Sequence, residues 1–328
     1  MSRRVLVFTP NWLGDAVMAL PALADVRGAL PDATIDLAAR PAIAPLTPLV
    51  PGIDATVRLA GRAASIEAVR AGRYDTVLLL PNSFNTAWIV HRAGVPERWG
   101  YRNEFRSALL TRAVAPPARV HQAGYYQHLT TELGFQPGPL EPRLVVSDEM
   151  RASGAARLEA AGWDDGAPLV AMAPGAAFGG AKRWPAAHFA ATADALAAQS
   201  VRVVLIGAGA DSRAGADVLA RVGRSARPIN LIGATDLSTL AGVLLHCRAL
   251  VTNDSGAMHF AAALGVPVTA IFGPTNERET RPLGAGRVSV LHGRTWCRPC
   301  MLRECPLTHG CMTGVHAELV IDDVRRCL

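Results

Sequence analysis

The sequence predicts an α/β protein built from two doubly wound parallel sheets, each covered by helices. Its 328 residues are enough for two domains of ordinary size. Apolar runs of strand length alternate with Ala- and Leu-rich segments of helical length along almost the whole chain. Runs such as 203–206 are apolar without a break, which is typical of parallel strands buried on both faces.

The domain boundary follows from the same alternation. A Pro- and Gly-rich stretch at 136–147 separates two series of strands, and a helix is predicted after it over 148–161. We therefore predict domains over residues 1–155 and 156–328. A last helix, 316–328, is expected to pack back on the first domain. The predicted strands are 5–8, 34–38, 76–80, 169–173, 202–206, 249–252 and 267–272.

Composition excludes several classes of protein. Half of the residues are hydrophobic and only 18% are charged, so the chain is not of the disordered type. Its apolar runs are too short for a membrane-spanning helix or a secretory signal, and we expect a cytoplasmic protein. The net charge is +6, and residues 84–125 alone hold six arginines against two glutamates. We expect that window to face an anionic partner.

A first motif, NWLGD at 11–15, directly follows the first predicted strand and opens a helix. Ligands of open parallel sheets bind beyond the carboxyl ends of the strands, so Asp15 can point into a ligand cleft. The alternative is that Asp15 only stabilises the N-terminus of its helix.

A second motif, PGAAFGGAKRWP at 174–185, also joins a strand to a helix. Small residues let the backbone approach a ligand closely, and helix N-termini bind phosphate. The only lysine of the chain, Lys182, lies here beside Arg183. These features favour an anion-binding loop over a flexible loop with solvated charges, although no Walker A pattern is present.

A third motif, TNDSGAMH at 252–259, again ends a strand and starts a helix. The N–H groups of Ser255 and Gly256 suit a diphosphate, and Asp254 could accept hydrogen bonds from sugar hydroxyls. His259 follows Ser255 by one turn and lies on the same side. The alternative is a helix cap with a buried histidine.

Two weaker features lie elsewhere in the second domain. The loop GAGADS at 207–212 is a partial dinucleotide-binding pattern in which Asp211 could bind a ribose hydroxyl. Four cysteines are spaced C-x2-C-x4-C-x5-C, which leaves a structural zinc site, an iron–sulfur site and unmetallated thiols open. They are Cys297, Cys300, Cys305 and Cys311.

Together the motifs resemble those of the ADP-heptose:lipopolysaccharide heptosyltransferases, and most of all the type II members of that family. The resemblance is carried by NWLGDAVMALPAL, LPNSF, GYRNEFR, PGAAFGGAKRWP and TNDSGAMHFAAALGVPVTAIFGPT. It implies the GT-B architecture, in which two Rossmann-like domains face each other across a cleft. It also implies an inverting transfer that needs no cofactor, with the acceptor on the first domain and the nucleotide sugar on the second.

The resemblance also implies residue roles and partners. Asp15 corresponds to the general base, Lys182 to the phosphate-binding lysine and Asp254 to the carboxylate that holds the donor heptose. The partners would be ADP-heptose and an anionic Kdo-lipid A acceptor at the inner membrane surface, with no nucleic acid, and the enzyme would be a monomer peripheral to that membrane. The further donor-binding candidates are Ala177, Phe178, Arg183, Asp211, Thr235, Ser255, Gly256 and His259, and the acceptor-binding candidates are Asn11, Arg98, Arg102 and Arg106.

Three alternatives stay open. A type I heptosyltransferase would differ only in whether its acceptor already carries a heptose. The GAGADS loop would suit an NAD-dependent oxidoreductase, although the third glycine of the pattern is missing. The cysteine cluster would suit a redox or regulatory protein.

Overall fold

The computed structural model describes residues 3–103 and 105–328, and the chain divides into two compact units, Met1–Val145 and Val146–Leu328. Each unit contains one six-stranded sheet in which all neighbouring strands are parallel. The predicted fold class, two Rossmann-like α/β domains as in the GT-B architecture, is confirmed for each domain.

The first domain places its apolar strands at the centre of the sheet. Its elements are β1 (Arg4–Phe8), α1 (Leu13–Met18), α2 (Leu20–Ala29), β2 (Thr34–Ala39), β3 (Ala55–Arg58), α3 (Arg62–Ala71), β4 (Thr76–Leu79), α4 (Phe84–Arg92), β5 (Glu97–Tyr101), β6 (Arg112–Val114) and α5 (Gln122–Glu132), with 3-10 helices at Ala44–Leu49 and Arg106–Leu109. The strand order is β3-β2-β1-β4-β5-β6.

The second domain repeats this arrangement. Its elements are α6 (Asp148–Glu159), β7 (Leu169–Ala173), α7 (Ala186–Ala197), β8 (Arg202–Leu205), α8 (Ser212–Leu219), β9 (Ile229–Asn230), α9 (Leu237–Leu245), β10 (Cys247–Asn253), α10 (Gly256–Ala263), β11 (Val268–Ile271), α11 (Glu277–Thr280), β12 (Val288–Leu291), α12 (Gly310–Thr313) and α13 (Ala317–Arg325), with 3-10 helices at Gly180–Lys182 and Gly209–Asp211. The order β12-β11-β10-β7-β8-β9 is that of the first sheet when counted from β7.

Both cores lie between the central strands and the covering helices. In the first domain Phe8 of β1 is completely buried and lies beside Ala38 of β2 and Leu79 of β4. In the second domain Met172 of β7 is completely buried and lies beside Leu205 of β8. Burying one such large apolar side chain contributes roughly 1.5–3 kcal/mol, so these strands contribute strongly to the stability of each domain.

All seven predicted strands are present, and five further strands were not predicted. The additional strands β3, β6, β9 and β12 lie at the sheet edges, and β5 lies next to an edge. They are short or contain charged and half-exposed residues, as in ERWGY of β5 and RAV of β6. Such segments lack the continuous apolar pattern of a strand that is buried on both faces.

The boundary between the domains lies ten residues before the predicted position, between Val145 and Val146. The chain stays tied to the first domain up to this point, because the N–H of Val145 donates to the carbonyl oxygen of Leu49. Helix α6 belongs wholly to the second domain, where it packs against α9. Gly154 and Gly242 permit this contact, since a Cβ on Gly154 would lie 2.2 Å from the backbone of Gly242.

The C-terminal helix α13 packs against α7 and against strands β10 and β11 of its own domain. Its expected contact with the first domain stays a prediction. Within the described residues, no helix is both long enough and apolar enough to cross a membrane.

Candidate active site

The predicted motifs lie at the same place in both sheets. In the first sheet the chain continues from β1 toward one edge and from β4 toward the other, so the loops after these two strands form the topological switch point. In the second sheet β7 and β10 have this role. The motif at 11–15 follows β1, the motif at 174–185 follows β7, and the motif at 252–259 ends β10. This is where open α/β sheets bind their ligands.

Asp15 is the third residue of α1, a helix that follows the extended backbone of Trp12. Its side chain is half-buried and lies near Tyr126 of α5. Burial raises the pKa of Tyr126, and the negative charge of Asp15 raises it further, so that the phenol keeps its proton at neutral pH. The Asp15 carboxylate is therefore partly accessible at the edge of the sheet where ligands bind.

A cavity of about 380 Å³ opens at the same edge of the first sheet. Phe8, Thr9 and Asn11 line it from the end of β1, while Arg40 follows β2 and Arg62 begins α3. Arg40 and Arg62 are both exposed. The Arg62 Nε also donates a hydrogen bond to Oδ1 of Asn85 at 2.9 Å. The described residues that line the cavity include these two arginines and no acidic side chain. The cavity therefore favours an anionic or strongly polar ligand.

Arg106 does not have the predicted acceptor-binding position. Its side chain is 0% exposed, and its guanidinium donates to the carbonyl oxygens of Tyr101 at 2.7 Å and Pro81 at 2.5 Å. Arg106 thereby joins the loops that follow β4 and β5. It also shares no helical face with Arg102, because β5 ends at Tyr101 and a 3-10 helix begins only at Arg106. The interpretation of Arg106 as an acceptor ligand is therefore wrong.

Arg98 is likewise engaged with the main chain. Its guanidinium donates to the carbonyl oxygens of Val95 and Leu109 at 2.5 and 2.8 Å. Val95 precedes β5, so these bonds hold the guanidinium toward the amino end of that strand, away from the switch point. Arg102 and Asn11, in contrast, are exposed residues that follow β5 and β1. Of the predicted acceptor ligands, Arg102 and Asn11 keep an accessible position, and Asn11 lines the cavity.

The second domain brings Lys182 and Asp254 into direct contact. The Lys182 Nζ lies 2.6 Å from Oδ2 of Asp254, with 13% and 5% of the two side chains exposed. The hydroxyl of Thr275 donates to the same carboxylate oxygen at 2.5 Å. Lys182 also lies over the ring of Phe178, with Nζ 4.9 Å from the ring centroid. The two strand-to-helix motifs of this domain therefore form one charged site.

Asn253 fixes the two motifs to each other. Its amide nitrogen donates to the carbonyl oxygen of Pro174 at 2.8 Å, and its Oδ1 accepts the N–H of Trp184 at 2.9 Å. Two residues after Asn253, Ser255 precedes α10 and leaves Gly256 at the start of the helix. The N–H groups of this first turn remain suited to an anion. His259 is buried within α10, one turn beyond Ser255.

The remaining donor-binding candidates surround this centre. The Asp211 carboxylate packs against Gly175, where an added Cβ would lie 2.0 Å from Oδ1 of Asp211. A side chain at position 175 would displace the Asp211 carboxylate, so Gly175 permits the close contact between the loop after β7 and the loop after β8. Ala177 and Arg183 are exposed, and Thr235 is half-buried in the loop after β9. Each lies in a loop at the carboxyl edge of the second sheet.

The cysteine cluster does not form a metal site in this structure. Across residues 3–103 and 105–328, no group of three or more His, Cys, Asp or Glu side chains has a geometry that could hold a metal ion. All four cysteines are free thiols. Burial raises the pKa of Cys311, and the neighbouring thiols of Cys305, Cys297 and Cys300 raise it further. The cysteines are thus close together in space, and the Cys311 thiol stays protonated at neutral pH.

The cysteine-rich segment, residues 297–311, instead supports two loops at the charged site, the one after β7 and the one after β11. The carbonyl oxygen of Arg303 accepts the N–H of Ala181 at 2.9 Å, and the Glu304 carboxylate accepts the N–H of Gly180 at 2.9 Å. On the other side, Arg298 Nε donates to the carbonyl oxygen of Gly273 at 2.6 Å. This segment therefore holds the loop that carries Lys182 and the loop that follows β11.

Three residues of the site were given no role by the sequence analysis. Arg40 and Arg62 are isolated arginines in an arginine-rich chain, and they belong to no recognised motif. Thr275 lies in the sequence GPT directly after an apolar strand. A search for polar residues after every predicted strand would have found Thr275 and Arg40, since β11 and β2 were predicted.

The comparisons with known proteins agree with this geometry. The sequence pattern described as "Glycosyltransferase family 9 (heptosyltransferase)" matches residues 62–310, which is most of the chain. The chain belongs to glycosyltransferase family 9. Lipopolysaccharide heptosyltransferase 2 of Escherichia coli K12 is 33% identical over 300 residues, which cover 85% of each chain.

The solved structures place the fold in the same family. A structure of E. coli ADP-heptose LPS heptosyltransferase II superposes with a TM-score of 0.86 at 30% identity and covers 99% of this chain and 98% of that one. Among the sequence relatives, a lipopolysaccharide heptosyltransferase 1 of Pseudomonas aeruginosa is 28% identical over 324 residues, which cover 92% of this chain and 87% of that protein. Membership of glycosyltransferase family 9 identifies the protein as a glycosyltransferase and removes the basis for an NAD-dependent oxidoreductase.

Proposed function

We propose that the protein transfers L-glycero-D-manno-heptose from ADP-heptose to the heptosyl-Kdo2-lipid A core of lipopolysaccharide, with inversion at the anomeric carbon. The observation that carries the proposal is the contact between Lys182 and Asp254 at the switch point of the second sheet. A cation for the diphosphate and an acceptor for sugar hydroxyls lie side by side there. The similarity to type II heptosyltransferases supplies the identity of the sugar and of the acceptor.

The second domain would bind ADP-heptose. Transfer of the heptose leaves negative charge on the departing diphosphate while the sugar becomes oxocarbenium-like. The Lys182 ammonium and the first N–H groups of α10 would stabilise that charge, since both lie at the same carboxyl edge. Asp254 would hold heptose hydroxyls, and Asp211 lies where the loop after β8 could meet the ribose.

Asp15 of the first domain would act as the general base. As the bond to the anomeric carbon forms, the acceptor hydroxyl transfers its proton to the Asp15 carboxylate. One carboxylate suffices for a single displacement, which inverts the configuration. The half-buried position of Asp15 at the edge of the first sheet supports this role.

The cavity of the first domain would bind an anionic part of the acceptor. Kdo carboxylates and core phosphates pair well with guanidinium groups, and Arg40 and Arg62 are the arginines that line this cavity. Asn11 and Arg102 would contribute from neighbouring loops. This assignment replaces Arg98 and Arg106, whose guanidinium groups are used by the main chain.

Exposed apolar side chains support a location at a membrane surface. Trp12, Phe84, Phe105 and Val120 follow β1, β4, β5 and β6, which are neighbours in the first sheet, and between 43% and 97% of each residue is exposed. Aromatic side chains favour the membrane interface, and the arginines at this edge favour anionic lipid. Co-sedimentation with anionic vesicles should be reduced in a Phe84→Ser, Phe105→Ser variant.

A transfer assay tests the proposal directly. ADP-heptose is supplied with heptose-free Kdo2-lipid A in one reaction and with mono-heptosylated Kdo2-lipid A in another. We expect product only, or much faster, with the mono-heptosylated acceptor. Preference for the heptose-free acceptor would assign a type I heptosyltransferase, and absence of transfer to both would contradict the proposal.

A further inference from the structure

Thr275 lies next to the charged site and has no role in the proposed mechanism. It follows β11, and 5% of the residue is exposed. Its hydroxyl donates to Oδ2 of Asp254 at 2.5 Å, which is the oxygen that Lys182 contacts at 2.6 Å. One carboxylate oxygen thus receives two donors.

The other oxygen of the carboxylate is left for a ligand. Oδ1 of Asp254 accepts no hydrogen bond from the described residues, although only 5% of the side chain is exposed. A carboxylate in such a partly buried place gains much from a further donor, because each oxygen can accept two hydrogen bonds. The arrangement turns Oδ2 toward the protein and keeps Oδ1 available.

Lys182 alone could not keep this orientation during binding. The lysine would have to direct ammonium hydrogens to the diphosphate, and its long side chain has several rotatable bonds. Thr275 has a short, β-branched side chain with a restricted χ1, so its hydroxyl is a more rigid donor than the lysine ammonium. It would hold Asp254 whether or not Lys182 turns toward phosphate.

The cysteine-rich segment fixes Thr275 in turn. Arg298 donates to the carbonyl oxygens of Gly273 at 2.6 Å and of Thr275 at 3.2 Å. The Arg298 guanidinium is itself held by Glu277 at 2.8 Å, and 9% of the Arg298 side chain is exposed. The loop that carries Thr275 is therefore bound on both sides of the threonine.

We propose that Thr275 is a positioning residue that orients Asp254, so that Oδ1 of Asp254 selects the sugar part of the nucleotide-sugar donor. The inference rests on the proposed function, because it takes a nucleotide sugar as the ligand. The new element is that the preference for the nucleotide sugar over the free nucleotide depends on the Thr275 hydroxyl, although this hydroxyl need not contact the nucleotide sugar.

Calorimetric titration with ADP and with ADP-heptose tests the inference. Thr275→Val removes the hydroxyl and keeps the shape of the side chain. We expect it to weaken binding of ADP-heptose on the order of tenfold, as the loss of a hydrogen bond to a charged group predicts, and to leave binding of ADP within about twofold. Thr275→Ser should restore the preference for ADP-heptose.

Thr269→Val is a matched control. The Thr269 hydroxyl is also buried and also donates to a carboxylate, Oδ2 of Asp323, at 2.7 Å, but this pair joins β11 to α13 away from the charged site. The control should lower stability without changing the ratio of the two affinities. A second check is Thr275→Val in an Asp254→Asn background, where we expect no further loss of ADP-heptose affinity.

The outcomes separate the inference from the proposed function. If the wild-type protein does not bind ADP-heptose more tightly than ADP, the proposed donor fails. If it does, and Thr275→Val either keeps that preference or weakens both ligands equally, the positioning role is overturned. An additive loss in the Asp254→Asn background would also overturn it, because Thr275 would then act independently of Asp254.

Discussion

The two domains share one strand order but differ at the edge where ligands bind. In the first domain the loops after β1, β2 and β3 surround an open cavity, and Arg40 and Arg62 point their charges to solvent there. In the second domain the loops after β7, β10 and β11 are joined by the contacts among Lys182, Asp254 and Thr275. One topology thus supports an adaptable edge and a preorganised edge.

The difference arises from the cysteine-rich segment, which only the second domain contains. The chain of this domain continues beyond its last strand, and the segment returns to hold the loops through Arg298 and Glu304. The strand order alone fixes where a ligand binds, whereas this added segment fixes how rigid the site is. A rigid site suits a small nucleotide sugar, and an open one suits a large lipid-linked acceptor.

The largest effect is expected at the edge of the first domain. Asp15→Asn should lower kcat by about 10²–10⁴-fold, because general-base assistance typically contributes that much. The affinity for ADP should stay the same, since the nucleotide would bind to the other domain. Steady-state kinetics and ADP titration of the same preparation measure both. Turnover within a few-fold of the wild type would leave Asp15 only the role of stabilising α1.

Lys182 provides the corresponding test of the second domain. Lys182→Ala should lower kcat/KM by about 10²-fold, as does removal of one preorganised donor to a developing anion. Lys182→Arg is expected to recover only part of this loss, because the compact ammonium lies between Phe178 and Asp254 and a guanidinium is larger and planar. Full activity of the arginine variant would mean that the site requires charge but not the shape of lysine.

The sequence predicted the preorganised edge better than the open one. Lys182 and Asp254 follow two of the predicted strands, β7 and β10, so the strand pattern and the rule for switch points together locate them. Arg106 was misinterpreted because an excess of charge does not reveal burial, and this arginine serves main-chain carbonyl groups. Arg40 was missed although it follows the predicted strand β2, because a single arginine stands out little in an arginine-rich chain.

A similar limit explains why the edge strands were not predicted from the sequence. Central strands were predicted because both faces are apolar, whereas edge strands such as β6 and β12 are defined by pairing with a neighbour that is distant in sequence. The contacts of the cysteine-rich segment are likewise long-range. The C-x2-C spacing drew attention to a metal, but the main-chain and side-chain contacts of Arg298, Arg303 and Glu304 give the segment its role.

The buried Arg106 is predicted to matter for stability rather than for acceptor binding. Arg106→Met should destabilise the protein by about 2–4 kcal/mol, since it leaves the carbonyl groups of Tyr101 and Pro81 without their donor. Thermal unfolding measures the effect, and Arg102→Met, at an exposed position nearby, is the control with an expected change within about 0.5 kcal/mol. Equal stability of both variants would contradict the structural role.

A smaller effect is expected from the open cavity. The double variant Arg40→Gln, Arg62→Gln should raise KM for the Kdo-lipid A acceptor about three- to tenfold and reduce its dependence on salt, because exposed charge pairs are individually weak. KM for ADP-heptose should not change. Arg224→Gln, Arg227→Gln removes the same charge from exposed positions of the second domain and serves as the control. An acceptor KM that responds equally to both double variants would show a general charge effect.

The smallest effect concerns how the stability of the second domain depends on pH. Asp323 of α13 accepts hydrogen bonds from Arg287 of the loop before β12 at 2.5 Å, from Thr269 at 2.7 Å and from Ser289 at 3.0 Å. Burial alone would raise the pKa of Asp323, but these donors outweigh it and hold the pKa below its usual value. Because the folded pKa lies below the unfolded value of about 3.9, the carboxylate stabilises the fold at neutral pH. That contribution is lost as the pH falls through the unfolded and then the folded pKa.

Asp323→Asn should therefore lower Tm by about 2–6 °C at pH 7 and by less near pH 4, as thermal unfolding of both proteins at the two pH values would measure. A difference in Tm that does not change with pH would mean that the shape of the side chain, and not its charge, holds α13 to the sheet.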